Sequence, residues 1–198
     1  MAGGTGGHIF PALAVAKAFE KRGGQIHWLG SKIGMEKNLV APHFPITYLS
    51  VKGFRRNGWM AKCLMPLTLA RAFFQCIGVI RRFRPDVVLG MGGFASVPGG
   101  LAAWLCRKPL IIHEQNSVAG YANKLLSRFA CQVLEAFPHS FSKKTPVQTV
   151  GNPVRQEMID AFSAARSNHL PDQSAPLRVL VMGGSQGAKA INDLMMQA

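Results

Sequence analysis

Four of the five residues from Gly3 to Gly7 are glycine, and an apolar run from Ile9 to Phe19 follows at once. A glycine cluster that opens a helix confines the chain to few architectures. Its bare N–H groups and the positive end of the helix dipole face the same way, which makes an anion site. The glycines are expected to turn the backbone and to bring amides close to a ligand, since glycine in a packed element loses the most entropy. Pro11 is expected in the first turn of the helix. The spacing is neither G-x-G-x-x-G nor a phosphate loop with Gly-Lys-Ser/Thr.

The same pattern returns near the other end. The apolar strand pattern Leu177–Met182 leads into Gly183-Gly184-Ser185-Gln186-Gly187-Ala188 and a helix start. Between these copies, strand-like runs are expected at 25–30, 46–51, 86–90, 109–113, 132–134 and 148–150. Helices are expected over 9–19, 34–41, 60–84, 101–106 and 117–129, the third broken or begun at Pro66. Strands alternating with helices, in continuous apolar runs, predict a doubly wound parallel α/β sheet covered on both faces. Residues 1–162 form one Rossmann-like domain in this reading, 163–176 a polar linker with two prolines, and 177–198 the start of a second domain. No strand precedes Gly3, and one strand–loop–helix cannot bury a core. Both ends therefore read as short of a complete protein.

Composition narrows the partners. Of 198 residues, 48% are hydrophobic and 16% charged, with a formal net charge of +14. Such an excess calls for an anionic partner. Nucleic acid is disfavoured, because no binding motif or interleaved aromatics accompany the basic residues. The four cysteines are scattered in apolar contexts and read as reduced core residues of a cytosolic protein. No residue set has metal-ligand spacing, and no cofactor is implied. The stretch from Cys63 to Ile80 has the length of a membrane span, but Arg71 at its centre would cost about 2.5–3.5 kcal/mol. Leu69, Phe73, Ile77 and Ile80 share one helical face near Arg71, Arg81, Arg82 and Arg84. That face reads either as core or as a surface for a membrane interface.

Ligands of open α/β sheets bind beyond the carboxyl ends of the strands. The clusters Gly3–His8, Gly92–Gly100, His113–Asn116 and Gly183–Ala188 all fall at such ends. Histidine is the side chain suited to proton transfer near neutral pH, so His8 could act as a base or merely bond locally at the helix start. His113-Glu114-Gln115-Asn116 could serve a ligand or cap the helix that follows. Arg155, just after Val150-Gly151-Asn152-Pro153-Val154, is a natural phosphate partner.

Five motifs in order resemble one family: Gly3–His8, Pro85–Gly93, His113–Asn116, Gly151–Arg155 and Gly183–Ala188. The chain is similar to glycosyltransferase family 28 enzymes that add N-acetylglucosamine to undecaprenyl-pyrophosphoryl-N-acetylmuramoyl-pentapeptide in peptidoglycan synthesis. The resemblance implies the two-domain glycosyltransferase-B fold, with the lipid acceptor on the first domain and UDP-N-acetylglucosamine mainly on the second. Thr5, Gly6, Gly7, Asn116, Arg155 and Ser185 match donor-binding positions, and His8 matches a histidine that assists catalysis. Gly4, Gly93 and Glu114 are assigned to the acceptor. Leu69, Arg71, Phe73, Ile77, Arg81 and Arg82 are assigned to an anionic membrane patch, which places the protein peripherally on the cytoplasmic face of the inner membrane. Donor contacts beyond Ser185 lie outside these residues, so the 198 residues alone are expected to be inactive. The alternatives are a non-catalytic membrane-binding fragment and another lipid-directed glycosyltransferase-B enzyme. A nicotinamide oxidoreductase is disfavoured because its fingerprint is missing.

Overall fold

The computed structural model describes residues 1–31, 34–49, 59–142, 145–168 and 193. Two compact units divide at Gln156 and Glu157. In the first, the element order is α1 (Gly6–Glu20), β1 (Trp28–Ser31), α2 (Glu36–Leu39), β2 (Ile46–Leu49), α3 (Trp59–Phe83), β3 (Val88–Gly90), α4 (Ser96–Leu105), β4 (Leu110–Glu114), α5 (Tyr121–Leu126), β5 (Gln132–Glu135) and β6 (Gln148–Thr149). β1 pairs with β2, and β3-β4-β5-β6 form a second ladder, every pair parallel.

Met1 lies beside β3 in the parallel pattern. Its amino group donates to the Leu89 carbonyl at 2.7 Å, and its carbonyl accepts from Met91 N–H at 2.8 Å. The opening residues thus take a strand position next to β3, where the sequence alone showed only a glycine loop. Trp28 Nε1–H then donates to the Ala2 carbonyl from the other side.

Helices cover both faces, as the continuous apolar strands require. Ile9, Ala12, Leu13 and Ala16 of α1 recur at helical spacing and pack with Trp28, Val40, Phe44 and Met91. Ala72, Cys76 and Ile80 of α3 and Ala102 and Ala103 of α4 pack with Leu49, Val88, Leu110 and Ile112.

Several elements differ from expectation. α1 starts inside the glycine cluster, at Gly6, so Pro11 stands in its second turn. Its missing N–H leaves the Gly7 carbonyl without its usual donor. α3 continues through Pro66. α5 opens at Tyr121, because Glu114 captures the N–H groups of Asn116 and Gly120 and pins 116–120 as loop. The helix after β6, α6 (Gln156–Asn168), takes in the first six residues of the expected linker. Cys76 is buried as expected, but Cys131 is exposed. The strand expected at 177–182 lies outside the described residues.

Candidate functional site

At the carboxyl edge of the sheet, two glycine clusters meet backbone to backbone. A Cβ on Gly93 would sit 2.2 Å from the Gly3 carbonyl oxygen, and one on Gly92 would sit 2.9 Å from Cε1 of His8. Gly92 and Gly93 hold φ of 92° and 85°, a region L side chains avoid. Ser96 locks the second cluster by donating through Oγ to the Gly92 carbonyl at 2.7 Å. Packing therefore explains part of the glycine content that was assigned to ligand approach. Gly3 and Gly6 are buried, while Gly4, Thr5 and Gly7 are exposed.

The exposed part still suits an anion. Thr5 is the N-cap of α1, its carbonyl accepts from the His8 and Ile9 N–H groups, and its side chain makes no capping bond. The amides of Gly6 and Gly7 belong to the first turn, which has no acceptors within the helix.

Three of the nine acidic residues are buried here, each tying a loop to the strand edge. Oε1 of Glu36 accepts from Ser31 N–H at 2.9 Å and Gly4 N–H at 3.2 Å. Glu135 accepts from His139 N–H, Ser140 N–H and Thr149 Oγ1. Glu114 accepts from Asn116 N–H and Nδ2, Gly120 N–H and Asn123 Nδ2, all within 3.0 Å. Burial alone would raise the Glu114 carboxyl, but these hydrogen bonds outweigh it and hold its pKa below the ordinary value. Glu114, expected at the acceptor, is thus fully buried and satisfied by its own chain. It shapes the loop that displays Asn116, which is exposed.

The remaining polar residues form a chain across three elements. His113 Nε2 lies 3.0 Å from the Gly151 carbonyl, and His113 Nδ1 lies 3.1 Å from Gln115 Nε2. Gln115 Oε1 lies 2.8 Å from His8 Nδ1. Asn152 Nδ2 donates to the Gln115 carbonyl at 3.1 Å. Burial pushes His113 below its ordinary value, against the opposing effects of the Gly151 carbonyl and Glu114, so it is neutral near pH 7. The Arg155 guanidinium stands 4.9 Å from the centre of the Phe10 ring on α1.

Four of the five clusters therefore converge: His8, Gly92, Gln115, Asn116, Gly151 and Arg155 come to one edge. Ser185 and its loop lie outside the described residues. Sequence reasoning missed Glu36 and Gln115 as individual residues. The signal for Glu36 was an acid two residues after Gly34, close behind a strand end, in a chain with only nine acids. No group of three His, Cys, Asp or Glu side chains could hold a metal among the described residues.

The first 135 residues match the model of the glycosyltransferase family 28 N-terminal domain. The chain belongs to glycosyltransferase family 28. It is 49% identical over all 198 residues to a Coxiella burnetii UDP-N-acetylglucosamine–N-acetylmuramyl-(pentapeptide) pyrophosphoryl-undecaprenol N-acetylglucosamine transferase, covering 55% of that protein. The identity to the same-named protein of Marinobacter nauticus is 50%, over 54% of its length. Among solved structures it resembles Acinetobacter baumannii MurG, with a TM-score of 0.75 and 37% identity over 98% of this chain and 52% of that one. A likeness to UDP-GlcNAc 2-epimerase from Methanocaldococcus jannaschii, at 15% identity and TM-score 0.54, concerns the fold alone. The chain spans about half the length of the curated relatives it matches.

The membrane assignment changes in detail. Leu69, Phe73 and Ile77 do share a face, but it packs against the core, with Leu69 and Phe73 half-buried. The exposed apolar side chains nearby are Leu67, Phe74, Trp104 and Leu105. Arg81, Arg84, Arg107 and Lys108 line a concavity of about 480 Å³ with Ile80, Leu105 and Cys106. Arg82 does not line it; burial and the Arg82 charge together hold His27 below its ordinary pKa. Among the described residues, no helix is long and apolar enough to cross a membrane.

Proposed function

We propose that this chain supplies the acceptor-side part of an inverting N-acetylglucosaminyltransferase. The reaction moves N-acetylglucosamine from UDP-N-acetylglucosamine to the muramoyl 4-hydroxyl of undecaprenyl-pyrophosphoryl-N-acetylmuramoyl-pentapeptide. The observation that carries this reading is the identity of about one residue in two, along the whole chain, to relatives named for that transfer. The site's chemistry agrees with it. Inversion needs a base at the attacking hydroxyl, and His8 is the half-buried titratable group at the converged edge. The departing nucleotide and the acceptor pyrophosphate both need donors, which Thr5, Gly6, Gly7, Arg155 and Ser185 and the α1 N-terminus would supply without a metal. Asn116 would hold the donor sugar, and Gly4 and Gly93 would border the acceptor.

In this reading residues 1–162 form the acceptor domain, 163–176 the connection and 177–198 the beginning of the donor side. The basic concavity and the exposed Leu67, Phe74, Trp104 and Leu105 would meet the anionic cytoplasmic surface that carries the lipid substrate, making the protein peripheral. The test joins these residues to the remaining half of the Coxiella burnetii relative and measures transfer of labelled N-acetylglucosamine to the lipid acceptor. Transfer is expected, and His8→Ala is expected to lower kcat by about 10²–10⁴-fold with a smaller effect on KM. No transfer by the joined protein refutes the function, and an unchanged kcat in His8→Ala removes His8 from the chemistry.

A further inference from the structure

The hydrogen-bond chain behind His8 has only one consistent proton arrangement. The Gly151 carbonyl can only accept, so His113 Nε2, 3.0 Å away, carries its ring proton. Neutral His113 then has a bare Nδ1, which accepts from Gln115 Nε2 at 3.1 Å. The same Gln115 nitrogen lies 3.0 Å from the His113 carbonyl, a second group that can only accept. Both contacts orient the amide with its nitrogen inward. Its oxygen must therefore face His8 Nδ1 at 2.8 Å, and an amide oxygen only accepts. His8 Nδ1 is the donor, and the lone pair of neutral His8 is on Nε2, which makes no hydrogen bond among the described residues.

We propose that Gln115, locked by His113, is a positioning residue that fixes His8 as the Nδ1–H tautomer with Nε2 as proton acceptor. The inference rests on the reading of His8 as the base and deepens it. The surroundings support a built device. Gln115 is buried, its backbone carbonyl is held by Asn152, and the His113 carbonyl is held by Asn123 as well. Gly92 leaves room for the His8 ring, which any Cβ there would push aside. An amide in this place orients the ring without adding charge. A carboxylate would do the same but would also favour imidazolium, leaving no lone pair to take a proton.

The experiment is nitrogen-detected NMR of histidine-labelled 198-residue chain, which reads protonation at each ring nitrogen without substrate. His8 of the unaltered chain is expected to carry its proton on Nδ1 at neutral pH. Gln115→Ala is expected to release the ring into a tautomer mixture. Gln115→Glu is expected to keep the tautomer and raise the His8 pKa by about 1–3 units. A proton on Nε2 in the unaltered chain overturns the proposal, even if Gln115→Ala fails to fold. So does a His8 pKa in folded Gln115→Glu that matches the unaltered chain. The two readings fail separately: an unchanged kcat in His8→Ala removes the base and leaves the tautomer result standing.

Discussion

Three alanine substitutions separate the structural glycines from those that face a ligand. Gly93 holds φ of 85° and its added Cβ would lie 2.2 Å from the Gly3 carbonyl oxygen, a backbone atom that cannot rotate away. The left-handed conformation costs an alanine about 1–2 kcal/mol. The forced displacement adds about 1–3 kcal/mol, as overpacking does elsewhere. Gly93→Ala should therefore lose about 2–5 kcal/mol, a large part of the 5–15 kcal/mol typical of a domain. Gly4 has φ of 98° but nothing within 4 Å of its Cβ position, so Gly4→Ala should lose only about 1–2 kcal/mol. Gly7 lies in the helix, with Thr5 Oγ1 at an ordinary 3.8 Å. Gly7→Ala should gain up to about 1 kcal/mol. Urea denaturation of the three variants, with slopes compared to confirm the same unfolding transition, measures the order. If Gly93→Ala is as stable as the unaltered chain, or less perturbed than Gly7→Ala, the backbone contact between the two glycine clusters does not hold the edge together.

Three further outcomes follow from the buried Glu114, the buried His113 and the basic concavity. Glu114→Gln turns one oxygen, which now accepts two N–H donors, into a donor itself; it should lose about 3 kcal/mol or more in urea denaturation. A shift below about 1 kcal/mol would show that the 116–120 loop is held by other means. Because His113 titrates below its ordinary 6.5 in the fold, the unfolded chain takes up that proton first. Stability present above 6.5 should fall as the pH drops from there toward the folded value, and His113→Gln should flatten that slope. The Glu114 contribution should persist until lower pH, since its folded pKa lies below 4.5. A pH-independent midpoint between about pH 7 and pH 5 would contradict both the burial and the neutrality of His113. At the concavity, reversing Arg81 and Arg107 to glutamate should weaken binding to anionic vesicles at least about 30-fold, from roughly 1 kcal/mol per cation. Salt should weaken it too, and equal binding to neutral vesicles would leave these residues a solubilising role.

The parallel α/β plan, the order of its strands along the chain and the clustering of polar residues at strand ends all follow from local pattern. Apolar runs of strand length, amphipathic helices and glycine punctuation are properties of neighbours in sequence, so they are readable there. The start of α5 was not, because Glu114 holds the Gly120 N–H through a contact that propensity does not contain. The face of α3 is a sharper case. Leu69, Phe73 and Ile77 recur at helical spacing, but only the packing of α3 on α4 half-buries that stripe and leaves Phe74 outside. Distance along the chain hid the site in the same way. Gln115 is 107 residues from His8, and Glu36 is 32 residues from Gly4. Which motifs exist is a matter of composition and spacing; which atom of His8 bears its proton is decided by carbonyls that only the folded sheet brings within reach.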